Sequence, residues 1–132
     1  MRTASGGERF AALRATRELA GCTDEEVQSL LAYTDEAHVF AGERVAHEGR
    51  FCTELVVVID GTLRARSSMI GPGGTYGWYA MWERSANRAT VVAETDARVL
   101  VMSRAQFRAV AALVPEPRRP CVPDKAEVQI VA

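Results

Sequence analysis

Short apolar runs separated by turn residues fill the middle of the chain, from residue 38 to residue 103. The runs are HVFAGERVAHEG, ELVVVIDGTLRARS, MIGPGGTYGW and ATVVAETDARVLVMS, and they break at Gly, Asp-Gly and Pro-Gly-Gly. Short strands at regular spacing, with turn signals between them, are typical of a β-sandwich or barrel. Within ELVVVIDGTL, Asp60-Gly61 joins two apolar runs and predicts a hairpin turn.

Two helical patterns precede the strands. Residues 8–20 form the first, and Gly21 follows as a stop signal. Its members at helical spacing are Phe10, Leu13, Arg17 and Ala20. The second pattern begins with Thr23 and Glu26, whose spacing is that of a capping box. Its apolar stripe consists of Val27, Leu30 and Leu31.

A closing helix and a proline-rich tail follow the strands. The helix RAQFRAVAALV has Ser103 as its predicted N-cap. Its apolar face consists of Phe107, Val110, Ala111 and Val114. Proline then ends regular structure because it lacks a backbone donor; the prolines are Pro115, Pro117, Pro120 and Pro123. The final EVQIVA is either an isolated strand or a frayed end. We therefore predict a domain over residues 8–114 and a tail over residues 115–132.

Composition narrows the function classes. A chain of 132 residues with 48% hydrophobic and 25% charged residues fits one globular domain. Its net charge of -1 provides no electrostatic footprint for nucleic acid or an anionic membrane. No signal peptide is visible, and no apolar stretch approaches the roughly 20 residues that span a bilayer. Cys22, Cys52 and Cys121 lack metal or disulfide spacing, which predicts reduced thiols in a cytoplasmic protein.

Four segments, three of which contain glycine, follow one another in an order that resembles the cyclic nucleotide-binding domain. They are FAGERVAHEG, ELVVVIDGTLRA, IGPGGTYG and RATVVAETDARVLVMSRAQF, and the resemblance covers roughly residues 10 to 114. This domain occurs in catabolite activator proteins, protein kinase A regulatory subunits and cyclic-nucleotide-gated channels. The resemblance implies a mostly β fold with flanking helices: an eight-stranded β-roll, that is, a jelly-roll-like double-stranded β-helix. Only RSS separates GTLRA from MIGPGG, so one hairpin tip is shorter than usual in the family.

The segment YGWYAMWERSANRATVVA, residues 76 to 93, corresponds to the phosphate-binding cassette of that family. There, a Gly-Glu pair opens a short helix whose N–H groups bind the cyclic phosphate, and the Glu accepts from the ribose hydroxyl. The resemblance therefore assigns the backbone cradle to Gly77, Tyr79 and Ala80. Trp78 stands in the carboxylate position, and an indole donates a hydrogen bond but accepts none.

The family arginine of the cassette is also displaced. A gap-free match counted back from Ala93 places Asn87 in the arginine position and Arg88 one residue late. In extended chain, a shift of one residue turns a side chain to the opposite face, although a slide of ERSAN would restore Arg88. Ala89 and Thr90 complete the candidate set. Losing one charge-assisted contact costs about 1.5–3 kcal/mol, which weakens binding roughly 10- to 100-fold.

The aromatic residues of the cassette have two interpretations. In the first interpretation the side chains fill the nucleotide space or cover the barrel mouth; they are Trp78, Tyr79, Met81 and Trp82. In the second interpretation the site binds a ligand, and Trp78 stacks on a purine. Both interpretations stay open at this stage.

Catalytic chemistry has little support in the sequence. His38, His47 and Glu48 are too widely spaced for a cupin metal site, and no hydrolase, zinc-protease or nucleotide-loop motif is present. We therefore predict a protein that is not an enzyme and has no cofactor. No long helix followed by a helix-turn-helix follows the strands, which argues against a transcription factor.

Two functions remain from the sequence. The first is a stand-alone regulatory module that binds cAMP, cGMP or another phosphorylated ligand weakly, with Arg88 on the phosphate. The alternative is a degenerate domain that binds no nucleotide and contacts a protein partner of unknown identity.

Overall fold

The computed structural model describes residues 2–113. The helices are α1 (Gly6–Arg14), α2 (Asp24–Leu30), α3 (Trp78–Glu83) and α4 (Arg104–Leu113), with single 3-10 turns at Arg17–Leu19 and Leu31–Tyr33. The strands are β1 (Asp35–Val39), β2 (Arg44–Ala46), β3 (Glu54–Asp60), β4 (Leu63–Ala65), β5 (Ser68–Ile70), β6 (Thr75–Tyr76), β7 (Val91–Ala93) and β8 (Ala97–Ser103). The predictions made for Val114, Cys121, the proline-rich tail at 115–132 and EVQIVA lie outside the described residues.

The eight strands form two four-stranded antiparallel sheets. One sheet has the order β1-β8-β3-β6, and the other has the order β2-β7-β4-β5. Side chains from both sheets meet in one apolar cluster, which makes the pair a β-roll. The predicted fold class is therefore confirmed.

The hairpin predicted at Asp60-Gly61 is wrong. β3 pairs with β8 and β6, whereas β4 pairs with β5 and β7, so the chain changes sheets at this turn. Gly61 has a φ of 87°, and a Cβ at this position would lie 2.4 Å from the Asp96 carbonyl oxygen. The glycine permits a close crossing of two chain segments rather than a tight turn between paired strands.

Strand β3 is buried on both faces, which explains its nearly continuous apolar sequence. Val56 and Val58 point into the β-roll. Leu55 and Val57 point outward, into a second cluster that holds the helices against this sheet. The cassette helix α3 and the closing helix α4 both contribute to this outer cluster, so it lies next to the candidate site.

The first helix is shorter than the predicted segment 8–20. The helix ends at Arg14, and the Arg14 guanidinium donates to the carbonyl oxygens of Leu19 (2.6 Å) and Cys22 (2.8 Å). The chain therefore wraps around that side chain instead of continuing the helix. Arg17 and Ala20, predicted at helical spacing, are exposed, and Leu19 is fully buried.

The predicted helix caps at Thr23 and Ser103 are confirmed. Thr23 Oγ1 accepts from the Glu26 N–H (3.2 Å), and the Glu26 carboxylate accepts in return from the Thr23 N–H (2.8 Å). Ser103 makes the same reciprocal pair with Gln106 at the start of α4. These caps fix where α2 and α4 begin.

The β4–β5 hairpin has a two-residue tip, Arg66 and Ser67, between the paired Ala65 and Ser68. Arg66 has a φ of 58°, and its Nη2 donates to the Arg88 carbonyl oxygen at 2.7 Å. The short tip thus contacts the segment that follows α3.

Candidate functional site

Gly77 begins the cassette in a conformation that glycine adopts most readily. Its φ is 106°, and a Cβ here would lie 2.8 Å from the Glu54 carbonyl oxygen. The chain thereby passes directly from β6 into α3. The Met81 N–H donates the first helical bond to the Gly77 carbonyl oxygen (2.9 Å). The N–H groups of Trp78, Tyr79 and Ala80 come before it and have no acceptor within the helix.

Trp78 points away from the β-roll interior. Its side chain is 4% exposed and lies in the outer cluster, with its ring centroid 5.5 Å from that of Phe107 on α4. The ring centroid of Trp82 also lies close to that of Phe107, at 5.7 Å. The Trp78 Nε1–H is buried without an acceptor among the described residues. Trp78 therefore packs α3 onto α4 and does not occupy the position of a ribose acceptor.

The segment after α3 alternates between buried and half-buried residues. Asn87, Ala89 and Val91 are buried, whereas Arg88 and Thr90 are half-buried. This alternation matches the predicted gap-free register: Asn87 faces inward and Arg88 faces the other side. In this structure Arg88 is half-buried and does not face the interior.

The inward and outward side chains of this segment have different partners. The Asn87 amide donates to the His47 carbonyl oxygen at 3.0 Å. The Arg88 guanidinium lies over the Tyr79 ring, with its Cζ 4.6 Å from the ring centroid, and its Nε is buried without a protein acceptor in residues 2–113. Thr90 Oγ1 accepts from the Glu48 N–H at 3.1 Å.

A cleft of about 280 Å³ opens beside the cassette. Its apolar wall includes Val45, Val56 and Tyr76, and Asn87 is the one predicted site residue that lines it. Trp78, Tyr79, Ala80 and Arg88 do not line this cleft. Of the ligand-binding residues that the sequence analysis assigned to the cassette, the structure brings only Asn87 to the cleft. The predicted contribution of Arg88 to a ligand here has no support from its position.

Most polar residues of the cleft come from the β2–β3 loop, which the sequence analysis did not assign to a ligand site. His47, Arg50 and Thr53 of this loop line the cleft, together with Glu54, the first residue of β3. This loop runs beside the cassette because the Gly49 N–H donates to the Asn87 carbonyl oxygen (2.9 Å) and the Asn87 N–H donates to the Arg50 carbonyl oxygen (2.7 Å). Gly49 and Arg50 lie 38 and 37 positions before Asn87, so no local sequence pattern marks their meeting.

The cleft can hold a small polar ligand against an apolar wall. Arg50 supplies a cation and Glu54 supplies a carboxylate. Asn87 adds its side-chain carbonyl oxygen as an acceptor, since its bond to His47 uses the amide nitrogen. Tyr76 is already committed, because its hydroxyl donates to the Ala89 carbonyl oxygen at 3.2 Å. Burial raises the pKa of the Tyr76 hydroxyl, which keeps it a neutral donor.

Residues 2–113 contain no candidate metal site. No group of three or more His, Cys, Asp or Glu side chains there could hold a metal ion. His38 lies on β1, where its Nε2 is 2.7 Å from Glu36 Oε2, and His47 lines the cleft. Within the same range, no helix has the length and apolar character of a membrane span.

Comparison with known structures shows the same fold in several proteins. The regulatory domain of Toxoplasma gondii protein kinase A, solved with cAMP, is 18% identical with a TM-score of 0.72; the match covers 80% of this chain and 44% of that one. The N-terminal domain of a transcriptional regulator from Streptomyces coelicolor is 23% identical with a TM-score of 0.71, covering 80% of both chains. A cyclic nucleotide-binding-like protein from Brucella abortus is 20% identical with a TM-score of 0.67, covering 78% of this chain and 97% of that one.

The sequence comparisons agree with the fold. No curated protein matches the chain. The family model described as "Cyclic nucleotide-binding domain" matches residues 36–113, more than half of the sequence. That family is a regulatory binding domain rather than a catalytic one. With eight strands in the β-roll, a glycine-initiated α3 and this match, the chain belongs to the cyclic nucleotide-binding domain family.

Proposed function

We propose that this domain is a regulatory module that binds a cyclic nucleotide, or another small phosphorylated ligand, weakly in the cleft beside the cassette. The observation that carries the proposal is the cleft beside the cassette, which Asn87 lines. The gap-free sequence match assigns Asn87 to the position of the family arginine. The absence of a charged group from that position explains why binding is weak. The net charge of -1 supports a small ligand rather than nucleic acid.

The remaining chemistry of the cleft supports modest affinity. Arg50 provides a positive charge for a phosphate, and Glu54 provides an acceptor for a ribose hydroxyl. Both side chains belong to exposed residues, where water competes for the same contacts. The volume of about 280 Å³ lies at the lower edge of the roughly 300–1,000 Å³ usual for small-molecule sites. In this proposal the domain is a cytoplasmic sensor without enzymatic activity. The buried Cys52 thiol, which forms no disulfide, supports a reducing compartment.

A calorimetric titration with cAMP and with cGMP, up to millimolar concentration, tests the proposal. We expect Asn87→Arg to strengthen cAMP binding about 10- to 100-fold, since it restores a charge-assisted contact. Arg50→Gln removes the cation of the cleft and weakens binding by about tenfold. Arg88→Gln is the matched control and leaves the affinity unchanged, because Arg88 does not line the cleft.

A second function is favoured by the Asn87 amide, which is already bonded to the His47 carbonyl oxygen. A polar group satisfied inside the protein has less to offer a ligand, as in a degenerate domain that serves as a protein-interaction module. No heat at millimolar cAMP and cGMP, for both the wild type and Asn87→Arg, contradicts the ligand proposal and leaves this second function.

A further inference from the structure

A second cleft lies outside the β-roll, between α3, α4 and the ring of Phe51. Its volume is about 400 Å³, within the range usual for small-molecule sites. Trp82 and Phe107 form part of its apolar lining, and Phe51 is 53% exposed at its edge. An exposed aromatic ring beside an apolar hollow is a feature of binding surfaces.

The charges of this cleft all have the same sign. Arg84, Arg104 and Arg108 line it, and no carboxylate does. Within residues 2–113, none of these three arginines forms an ion pair with an Asp or Glu. Three cations around one apolar hollow favour an anion over a neutral or cationic ligand.

Arg104 is the residue that most needs an acceptor. Its guanidinium lies over the Phe51 ring, with Cζ 4.0 Å from the ring centroid. Its Nη1 makes only a long bond of 3.4 Å to the Met81 carbonyl oxygen, and its Nε and Nη2 are buried without a partner among the described residues. Leaving buried donors of a charged group unpaired is costly. The Nε–Nη2 edge of a guanidinium is also one of the two edges that match a carboxylate with two parallel hydrogen bonds.

We propose that this cleft binds a small amphipathic carboxylate. Its aromatic or aliphatic body packs on Trp82 and Phe107, and its carboxylate is held by the positive charge of Arg84, Arg104 and Arg108, which all line the cleft. The volume of about 400 Å³ fits a small molecule. The site is separate from the cleft beside the cassette, and the proposal does not depend on cyclic nucleotide binding.

Calorimetry on the full chain with 1-naphthoate and its neutral counterpart 1-naphthamide tests the proposal. The two probes share a flat aromatic body and differ in charge, so their affinity ratio reports the arginine contact. We expect naphthoate to bind at least about tenfold more tightly than naphthamide, and we expect Arg104→Gln to remove that preference. Arg44→Gln, an exposed arginine on β2, is the matched control and keeps the preference.

Two further measurements secure the result. A thermal melt establishes that Arg104→Gln is folded; if it is not, Arg108→Gln replaces it, because Arg108 is exposed on α4 and is expected to reduce the preference about threefold. Saturating cAMP should leave naphthoate binding unchanged. The proposal is overturned if the two probes bind equally or not at all, if the arginine variants keep the preference, or if cAMP displaces naphthoate.

Discussion

Replacing Trp78 with Glu restores the family carboxylate at the position that follows Gly77, and its outcome depends on where side chain 78 points. If residue 78 faced the cleft beside the cassette, Trp78→Glu would tighten cyclic nucleotide binding. The structure instead places the Trp78 ring in the outer cluster, against Phe107. We therefore expect Trp78→Glu to destabilise the fold and to add nothing to ligand affinity.

The expected loss follows from the burial of Trp78. An aromatic side chain buries 150–250 Å², and at about 25 cal/mol per Å² this contributes roughly 4–6 kcal/mol. A carboxylate at this position, where Trp78 is only 4% exposed, adds a desolvation cost. Domains of this kind have an unfolding free energy of about 5–15 kcal/mol, so Trp78→Glu removes between about a quarter of it and all of it.

Urea denaturation followed by circular dichroism measures this loss, with Trp78→Phe as the matched control. Phe keeps a ring against Phe107 and removes the indole N–H that is buried without an acceptor in the described part of the chain. The lost apolar area and the removed unpaired donor have opposite signs, so Trp78→Phe is expected within about 1.5 kcal/mol of the wild type. A wild-type midpoint for Trp78→Glu, together with tighter cAMP binding, would refute the orientation described here.

Two other predictions concern the strand crossing and the ion pair beside it. In urea denaturation, Gly61→Ala is expected to lower the free energy of unfolding by several kcal/mol more than Gly42→Ala. Both residues have a positive φ, which costs alanine about 1–2 kcal/mol, but only at Gly61 would a Cβ meet the Asp96 carbonyl oxygen. Equal losses for the two variants would contradict the close crossing. The Arg98 guanidinium bonds to Asp60 and lowers the pKa of that carboxyl below its usual 3.8. The ion pair therefore stabilises the fold above about pH 4, and this stabilisation is lost as the pH falls through the lower pKa of the folded state. When the unfolding midpoint is measured at decreasing pH, Arg98→Gln should reduce the fall of the midpoint; an unchanged fall would show that the ion pair does not cause it.

The fold was readable from the sequence because its turns are marked by glycine. Gly42, Gly49 and Gly73 have positive φ, and such positions leave a signal that does not depend on distant contacts. The pairing of strands within the two sheets leaves no such signal in the sequence. Asp60-Gly61 has the composition of a hairpin turn, yet the pairing of β3 with β8 determines that it is a crossing between sheets. Helix α1 likewise ends where the Arg14 side chain finds carbonyl acceptors, which spacing alone does not reveal.

The candidate site was predictable only where its geometry is local. The opposite facing of Asn87 and Arg88 follows from the alternation of extended chain, and the structure has it. The direction of Trp78 depends on Phe107, which is 29 positions later in the sequence, and the second cleft joins Phe51 to Arg104 across 53 positions. Such long-range meetings require the completed sheet and cannot be read from a motif.

The placement of both indoles against Phe107 also limits what α4 can report. A ligand moves a helix only if it binds the moved arrangement more tightly, by an amount that matches the contacts it breaks. Two aromatic pairs add about 1–3 kcal/mol beyond buried area, so that preference must be roughly 5- to 150-fold before the burial of Trp78 and Trp82 is counted. Binding in the cleft beside the cassette therefore changes a partner contact on α4 only if the ligand prefers the moved arrangement by at least this factor.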